Sequence, residues 1–281
     1  MNKIYKIINL SILFILVSLS FSCDILEPSK GDYYLEVADQ NQDTGTYDFE
    51  KKVLLLEFTG HKCTNCPEAH RTVVTLKGVY AEKLIPVYIH AGLLAKPQGD
   101  FTYDFTTTEG SEIYSTFGIS SIPTGIVCSL DKTKLSSHTS WAGEIETALS
   151  TSNSIGITIE NTYNSANRNL TTKIKYKALE NIEAQLQLSV FLIEDSIISK
   201  QIDAGVTIDN YVHLHAFRDA LSNTWGNTLE QTTFAKGFSD EQTFTLELNS
   251  IWNSDNCSVV AFIYNNETKE VLNVEEKNIN E

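Results

Sequence analysis

Hydrophobic runs and helical spacing alternate between residues 51 and 152. The apolar runs KKVLLLEFTG and LIPVYIHAG predict two strands that are buried on both faces. Between them, the segment that follows Pro67 carries apolar side chains at near-helical spacing, which predicts a helix. A strand, a helix and a strand in this order predict a right-handed parallel crossover. This part of the chain is therefore predicted to form one α/β domain, residues 51–152.

The rest of this predicted domain has weaker patterns. Residues 91–112 show no clear period and are predicted to be an insertion with a short helix. The stretches that follow are IYSTFGI, SIPTGIVCSL and SSHTSWAGEIETALS. They predict a helix, then a turn with a strand, and then a return into a last helix.

Residues 153–281 have a different texture. Seven short segments alternate apolar and polar positions, with clusters of turn residues between them. This period of two predicts an antiparallel β-sandwich of the immunoglobulin or fibronectin type. One long aromatic segment, DNYVHLHAFRDALSNTWGNTLEQ, breaks the alternation and contains His213 and His215.

The first residues of the chain predict export. Two lysines precede an apolar run that is too short to span a membrane comfortably, and Cys23 follows a small residue. We predict a lipoprotein signal at residues 1–22, lipid attachment at Cys23 and a polar tether over residues 23–50. The alternatives are an ordinary secretory signal or an uncleaved anchor, and both leave the protein in the envelope.

The formal net charge of −15 narrows the choice of partners. Such an acidic chain would repel the phosphates of a nucleic acid, so we predict that it binds none. We also predict no cofactor and no resident metal. The membrane contact is expected to come through the N-terminal lipid.

The stretch GHKCTNCPEAH, residues 60–70, holds the one close pair of cysteines, Cys63 and Cys66. The free N–H groups and the dipole of the helix that begins there favour a thiolate on the first sulfur. The spacing lets the second sulfur resolve a mixed disulfide. Two alternatives stay open: a metal site that adds His61 and His70, and a purely structural disulfide.

The segment FGISSIPTGIVC, residues 117–128, resembles the thioredoxin-fold signature. The resemblance implies a cis peptide bond at Pro123, an exposed nucleophile at Cys63 and a buried resolving cysteine at Cys66. It also implies that Glu57 is a buried acid which exchanges a proton with the resolving thiol. The alternative for Glu57 is a salt bridge at the end of a strand. Lys62 stands where thioredoxins keep a tryptophan, which changes the docking surface.

The layout of the whole chain resembles the Bacteroidetes family related to the 28-kilodalton outer membrane protein. The features are a lipoprotein signal, a C-x-x-C-P segment and a C-terminal half with a histidine-rich segment. The resemblance implies an outer-membrane lipoprotein. We predict thiol–disulfide exchange with envelope client proteins. The alternative is a non-enzymatic lipoprotein for binding, adhesion or nutrient capture.

Four further residues carry chemistry without a fixed role. Cys128 and Cys257 each border an apolar strand, and they are either two buried free thiols or a staple between the domains. His213 and His215 would share one face of a strand. They are either hydrogen-bonded histidines on an interdomain segment, or part of a segment that packs over the cysteine pair and tunes it.

Overall fold

The computed structural model describes residues 49–281, which are mostly β-structure in mixed and antiparallel sheets with few helices. Residues 1–48, with the predicted signal, Cys23 and nearly all of the predicted tether, lie outside the described part. The helices are α1 (Cys66–Tyr80), α2 (Thr108–Phe117) and α3 (Trp141–Leu149). The strands are β1 (Val53–Thr59), β2 (Leu84–His90), β3 (Thr124–Val127), β4 (Ile155–Asn164), β5 (Asn169–Ala178), β6 (Ile182–Glu183), β7 (Leu186–Glu194), β8 (Ile197–Asp203), β9 (Val206–His213), β10 (Ala216–Ala220), β11 (Asn227–Thr228), β12 (Thr233–Phe234), β13 (Ser239–Glu247), β14 (Cys257–Asn265) and β15 (Val271–Asn278).

The predicted parallel crossover is confirmed. β1 and β2 pair in parallel over their full lengths, and every residue of both strands is buried. α1 connects them and buries Ala69, Val73 and Leu76. Val74 and Val79, two other apolar residues of this helix, are 57% and 69% exposed. A helix buries one stripe of side chains, and these two valines lie beside that stripe rather than on it.

One eight-stranded sheet runs through most of the described chain. Its path is β15-β14-β7-β10-β2-β1-β3, and β11 pairs with β7. β10 pairs in parallel with β2 and antiparallel with β7, so strands from both predicted domains meet in this sheet. The domain boundary at residue 152 falls in the short link between α3 and β4. The independence of the two halves stays a prediction.

Two layers of buried side chains cover the part of the sheet that contains β1 and β2. α1 and α3 pack on one face, where Trp141 and Ile145 are fully buried. α2 packs on the other face, in a cluster that joins Phe58 to Phe217 and Phe262. This cluster takes side chains from both halves of the chain, so it stabilises them jointly.

A second sheet packs against the other part of the central sheet. Its order is β13-β5-β4, and its buried side chains form one cluster with those of β7 and β14. The C-terminal part contains twelve strands rather than the seven that alternation predicted. The two-residue strands and β10 are too short or too irregular to show a period.

β8 and β9 form a separate two-stranded hairpin. Its tip lies against the loop that joins β1 to α1. No helix within residues 49–281 is long and apolar enough to cross a membrane.

Candidate functional site

The cysteine pair lies where β1 gives way to α1. Cys63 and Cys66 are joined by a disulfide, and Cys66 is the first residue of the helix. The backbone N–H of Cys66 donates a hydrogen bond to the sulfur of Cys63 over 3.1 Å. Because the first N–H groups of a helix have no partner within it, this sulfur occupies a position that favours negative charge.

The loop from Gly60 to Asn65 is held from two sides. The N–H of Lys62 donates to the carbonyl of Leu94 over 3.0 Å. At Gly60 a Cβ atom would approach the carbonyl carbon of Leu94 to 2.8 Å, so only glycine allows this contact. These backbone contacts therefore hold the loop in place without the side chains of the motif.

The β8–β9 hairpin covers the other side of this loop. The N–H groups of Ile202 and Ala204 donate to the carbonyls of His61 and Thr64 over 2.9 and 3.0 Å. The fully buried amide of Gln201 donates to the carbonyl of Cys63 over 2.9 Å. Cys63 is consequently only 3% exposed, so the exposed sulfur that the thioredoxin resemblance implied is wrong for this structure.

Pro123 lies beside the disulfide. The Ile122–Pro123 peptide bond is cis, as the sequence predicted. The carbonyl oxygen of Ile122 is 3.7 Å from the sulfur of Cys63. The structure thus brings Cys63, Cys66 and Pro123 together, although 57 residues separate the last two in the chain.

Glu57 lies in β1 with its carboxyl group fully buried. It lies close to His70, whose Nε2 is 3.4 Å from Oε1 of Glu57 and 3.0 Å from the hydroxyl of Thr59. Burial raises the pKa of Glu57, and the adjacent His70 partly offsets the rise. Glu57 thus combines features of both predictions made for it, because its carboxyl group is buried and also lies next to a histidine.

His70 connects the buried acid to the hairpin. It follows Cys66 by four residues, so both side chains lie on the same face of α1. Its Nδ1 is hydrogen-bonded to the hydroxyl of Tyr211 over 2.9 Å, and its ring stacks on Tyr88. Tyr211 is partly exposed. His70 therefore lies between the buried acid and the partly exposed Tyr211.

Three further histidines surround Phe105, and one of them, His213, is the last residue of β9 in the hairpin. His61, His90 and His213 place their ring centroids 5.6, 4.5 and 4.5 Å from that of Phe105. Neither ring nitrogen of His90 has a hydrogen-bond partner among the described residues. Burial lowers the pKa of His90 far below its usual value and that of His213 to about 3. Both imidazoles are therefore neutral in the folded protein at neutral pH.

The neutral state of His213 makes a testable contribution to stability. The unfolded chain binds a proton at His213 below about pH 6.5, whereas the folded chain binds none until about pH 3. Stability is therefore lost as pH falls through this window. We expect the free energy of unfolding of the natural protein to drop by about 2 kcal/mol more than that of His213→Gln between pH 7.5 and 5.0. Urea denaturation at both pH values measures the difference, and equal losses would contradict it.

The side chains of the alternative metal site are not arranged to bind a metal ion in this structure. Both sulfurs are bonded to each other, so neither is a free thiolate. Among residues 49–281, no group of three or more His, Cys, Asp or Glu side chains is placed to hold a metal ion. Nε2 of His61 lies 3.3 Å from the carbonyl of Lys96, and His70 faces Glu57 and Tyr211.

A polar groove opens beside the covered disulfide. It has a volume of about 420 Å³ and is bordered by Thr64 and Asn65 of the motif and by Pro123. Its charged wall contains Arg71, which bridges Asp203 of the hairpin over 2.8 Å. The groove therefore borders the motif, and neither cysteine lines it.

The structure also shows the state of the two remaining cysteines of the described chain. Cys128 and Cys257 are both free thiols, and burial raises their pKa values to about 11 and 12. The staple between the halves is thus absent from the structure.

His215 follows β9 with a positive φ of 53°, so it does not continue the strand that contains His213. The face that the two histidines were predicted to share does not form.

Comparison with known families identifies the C-terminal part of the chain. The family model described as outer membrane protein Omp28 matches residues 110–281. The chain belongs to the Omp28 family. No curated protein matches it.

Solved structures with TM-scores of 0.50 and above are similar in fold to this Omp28 family member. HBP35 of Porphyromonas gingivalis matches 83% of this chain and 76% of its own, with a TM-score of 0.65 and 17% identity. A protein from Agrobacterium tumefaciens covers 83% of this chain and 96% of its own, with a TM-score of 0.50 and 11% identity. A domain of the outer membrane lipoprotein Omp28 from Porphyromonas gingivalis covers 45% of this chain and 88% of its own, with a TM-score of 0.33 and 22% identity.

Sequence patterns did not point to several side chains of the site in this Omp28 family chain. Gln201 lies in β8, where the alternation predicted only a strand, and Tyr211 lies in the segment that breaks the alternation. Arg218 is buried against Glu194, and no local pattern indicates a buried arginine. The one usable signal was the break in alternation at the histidine-rich segment, which contains both Tyr211 and Arg218.

Proposed function

We propose that this protein is a lipid-anchored outer-membrane protein that exchanges disulfides with client proteins of the envelope through Cys63 and Cys66. In this proposal residues 51–152 act as a thioredoxin-like unit. Cys23 carries the lipid once the signal, residues 1–22, is removed. Membership of the Omp28 family supports the location.

The observation that carries the proposal is the position of the Cys63 sulfur. It accepts a hydrogen bond from the first N–H of α1 and lies beside the carbonyl of Ile122. A sulfur held at a helix N-terminus is stabilised as a thiolate, and the thiolate is both the nucleophile and the better leaving group in exchange. A disulfide that serves only as a staple does not need this placement.

The proposed reaction begins with the reduced pair. The Cys63 thiolate attacks a client disulfide, a mixed disulfide forms, and one client thiolate leaves. Cys66 then loses its proton and attacks the sulfur of Cys63, which releases the second client thiolate and restores the Cys63–Cys66 bond. Two electrons pass to the client. The return to the dithiol needs a dithiol donor of the envelope, and with an oxidising partner the same steps run in reverse.

Glu57 is proposed to take the proton of Cys66. A buried acid whose pKa is raised by burial can hold a proton and return it. His70 lies 3.4 Å from the acid and is hydrogen-bonded to the partly exposed Tyr211, and we propose that the proton reaches the surface by this route. The resolving step does not need bulk water at the sulfur if protons leave by this route.

A second candidate function rests on the burial of Cys63. A sulfur that is 3% exposed under a hydrogen-bonded hairpin fits a closed structural disulfide. In that case the protein is a non-enzymatic lipoprotein for binding, adhesion or nutrient capture. The two candidates differ in one property, namely whether the hairpin moves away from the disulfide in the folded protein.

The rate of reduction by dithiothreitol distinguishes them. Gln201→Ala removes the side chain that holds the carbonyl of Cys63, so we expect the disulfide to be reduced several times faster than in the natural protein. Lys200→Ala alters the neighbouring side chain, which pairs with Asp209 at the surface, and should leave the rate unchanged. Thiol labelling and mass spectrometry follow the reaction. A disulfide that resists reduction in all three proteins until they unfold would favour the structural candidate.

A further inference from the structure

A second cavity lies apart from the cysteine pair. It has a volume of about 300 Å³ and shares no lining residue with the groove beside the disulfide. The end of α2, the loop after β3, β7 and the ends of β14 contribute to it. Its lining residues are Thr116, Phe117, Leu130, Lys132, Gln187, Trp225, Gly226, Tyr264, Asn266 and Lys269. We propose that this cavity binds a small organic anion that carries a flat aromatic ring.

Aromatic side chains form the walls of the cavity. Phe117 and Trp225 lie nearly parallel, with ring centroids 6.2 Å apart and an interplanar angle of 24°. Phe117 and Tyr264 are buried, and Trp225 is partly exposed. Flat apolar walls of this kind favour a flat ring, because stacked aromatic groups gain contact area and a favourable orientation of their charge distributions.

The walls are fixed before any ligand arrives. The hydroxyl of Tyr264 donates to the carbonyl of Trp225 over 2.6 Å, and the indole N–H of Trp225 donates to Glu112 over 2.8 Å. Gly226 adopts a φ of +80°, and a Cβ there would come within 2.8 Å of the carbonyl of Leu188. Because these contacts hold the tryptophan in place, a ligand does not have to order it.

The charged side chains that line the cavity are cationic. The amide of Gln187 is occupied by the hydroxyl of Thr228 over 2.9 Å. Both oxygens of Glu112 are also occupied, by Trp225 and by the hydroxyl of Thr224. The ammonium groups of Lys132 and Lys269 remain at the rim, and none of the described lining residues carries a carboxylate.

The position of Lys269 fits an anionic group next to a ring. Its ammonium is 5.8 Å from the ring centroid of Tyr264 and 3.1 Å from the side-chain oxygen of Asn266. An ammonium keeps three donor hydrogens, so further acceptors can bind. In a chain with a net charge of −15, this local pair of lysines makes the cavity selective for anions.

The volume limits the size of the ligand. About 300 Å³ is at the lower end of the range for small-molecule sites. A compound of one or two fused rings fits this space, whereas a polymer does not. The inference is independent of the cysteine pair and of the exchange reaction proposed for it.

Isothermal titration calorimetry of the full chain with 2-naphthoate tests the inference. We expect saturable binding with one site per chain. The uncharged 2-naphthamide has nearly the same shape and should bind about tenfold more weakly, since it lacks the charge that the two lysines attract. The affinity for 2-naphthoate should also fall as salt rises, because the lysines lie at the surface.

Variants assign the binding to this cavity. The double variant Lys132→Glu with Lys269→Glu should weaken 2-naphthoate binding by about tenfold. Lys134→Glu changes an exposed lysine that does not line the cavity and serves as the matched control. Trp225→Ala should abolish saturable binding, and circular dichroism checks its fold; if it does not fold, the lysine variants decide the question. Absence of saturable binding, equal affinity for the amide, or no effect of the lysine changes would overturn the proposal.

Discussion

Cys66→Ala is expected to trap client proteins as mixed disulfides when the full chain is produced in its own envelope. The remaining Cys63 thiolate still attacks a client, because its position at the start of α1 does not depend on the second sulfur. The resolving attack is lost, so the adduct persists. We expect bands of higher mass on a non-reducing gel, which disappear with reductant, and at least tenfold fewer of them in the natural protein.

Cys63→Ala is the matched control for this experiment. It keeps one thiol of the pair but removes the proposed nucleophile, so few adducts should form. Both variants belong in a Cys128→Ala, Cys257→Ala background, because these two free thiols are the other possible sources of adducts in the described chain. Equal amounts of adduct in the two variants, or none in either, would contradict the assigned roles.

Arg218→Met is expected to destabilise the folded protein strongly. The guanidinium of Arg218 is 3% exposed and donates to Glu194, which is 4% exposed, over 2.8 Å. Removal of the arginine leaves a buried carboxylate without its counter-charge. Breaking a buried pair in this way costs about 3–5 kcal/mol. Urea denaturation should show the loss as a lower midpoint with an unchanged slope.

The loss should be reversed by removing the other charge. Glu194→Met in combination with Arg218→Met replaces the pair by two apolar side chains of similar length, and such replacements are often neutral or stabilising. Glu194 also accepts the N–H of Asn253 over 2.8 Å, so recovery should be large but incomplete. A double variant as unstable as Arg218→Met would show that packing of the arginine stem, rather than its charge, stabilises this part of the protein.

The sequence predicted those parts of the site whose residues are close together in the chain. β1, α1 and β2 follow from local hydrophobic patterns, and their order determines that Cys66 begins the helix. The inferences about these strands and this helix need only neighbouring residues and general rules of handedness. The burial of Glu57 was implied by the thioredoxin resemblance, and Glu57 does lie in a strand that is buried along its whole length.

Contacts between distant parts of the chain could not be predicted in this way. β10 inserts between β2 and β7, and a bulge at Arg218 interrupts its pairing, so it shows no clean period. The hairpin that covers Cys63 binds the surrounding loop through backbone groups and through Gln201. Backbone contacts cannot be recognised from the pattern of side chains in a sequence. The exposed Cys63 was therefore predicted wrongly, because the resemblance describes the motif and not the segment that covers it.

The exchange proposal also requires the β8–β9 hairpin, which covers the disulfide, to open. Arg71 and Asp203 connect α1 to the hairpin at the surface, and surface ion pairs of this kind contribute about 0–1 kcal/mol. The buried hydrogen bonds of Gln201 contribute more because a donor left unpaired there costs about 1–3 kcal/mol. Opening of the hairpin is therefore expected to depend mainly on Gln201.

The reduction potential of the Cys63–Cys66 pair tests the exchange proposal most directly. The folded full chain is equilibrated in redox buffers of dithiothreitol or glutathione, and the fraction of free thiols is counted by mass spectrometry after alkylation. The proposal predicts reversible titration at a potential between about −120 and −270 mV, the range of catalytic pairs. A pair that stays oxidised below about −300 mV would contradict it and identify the disulfide as structural.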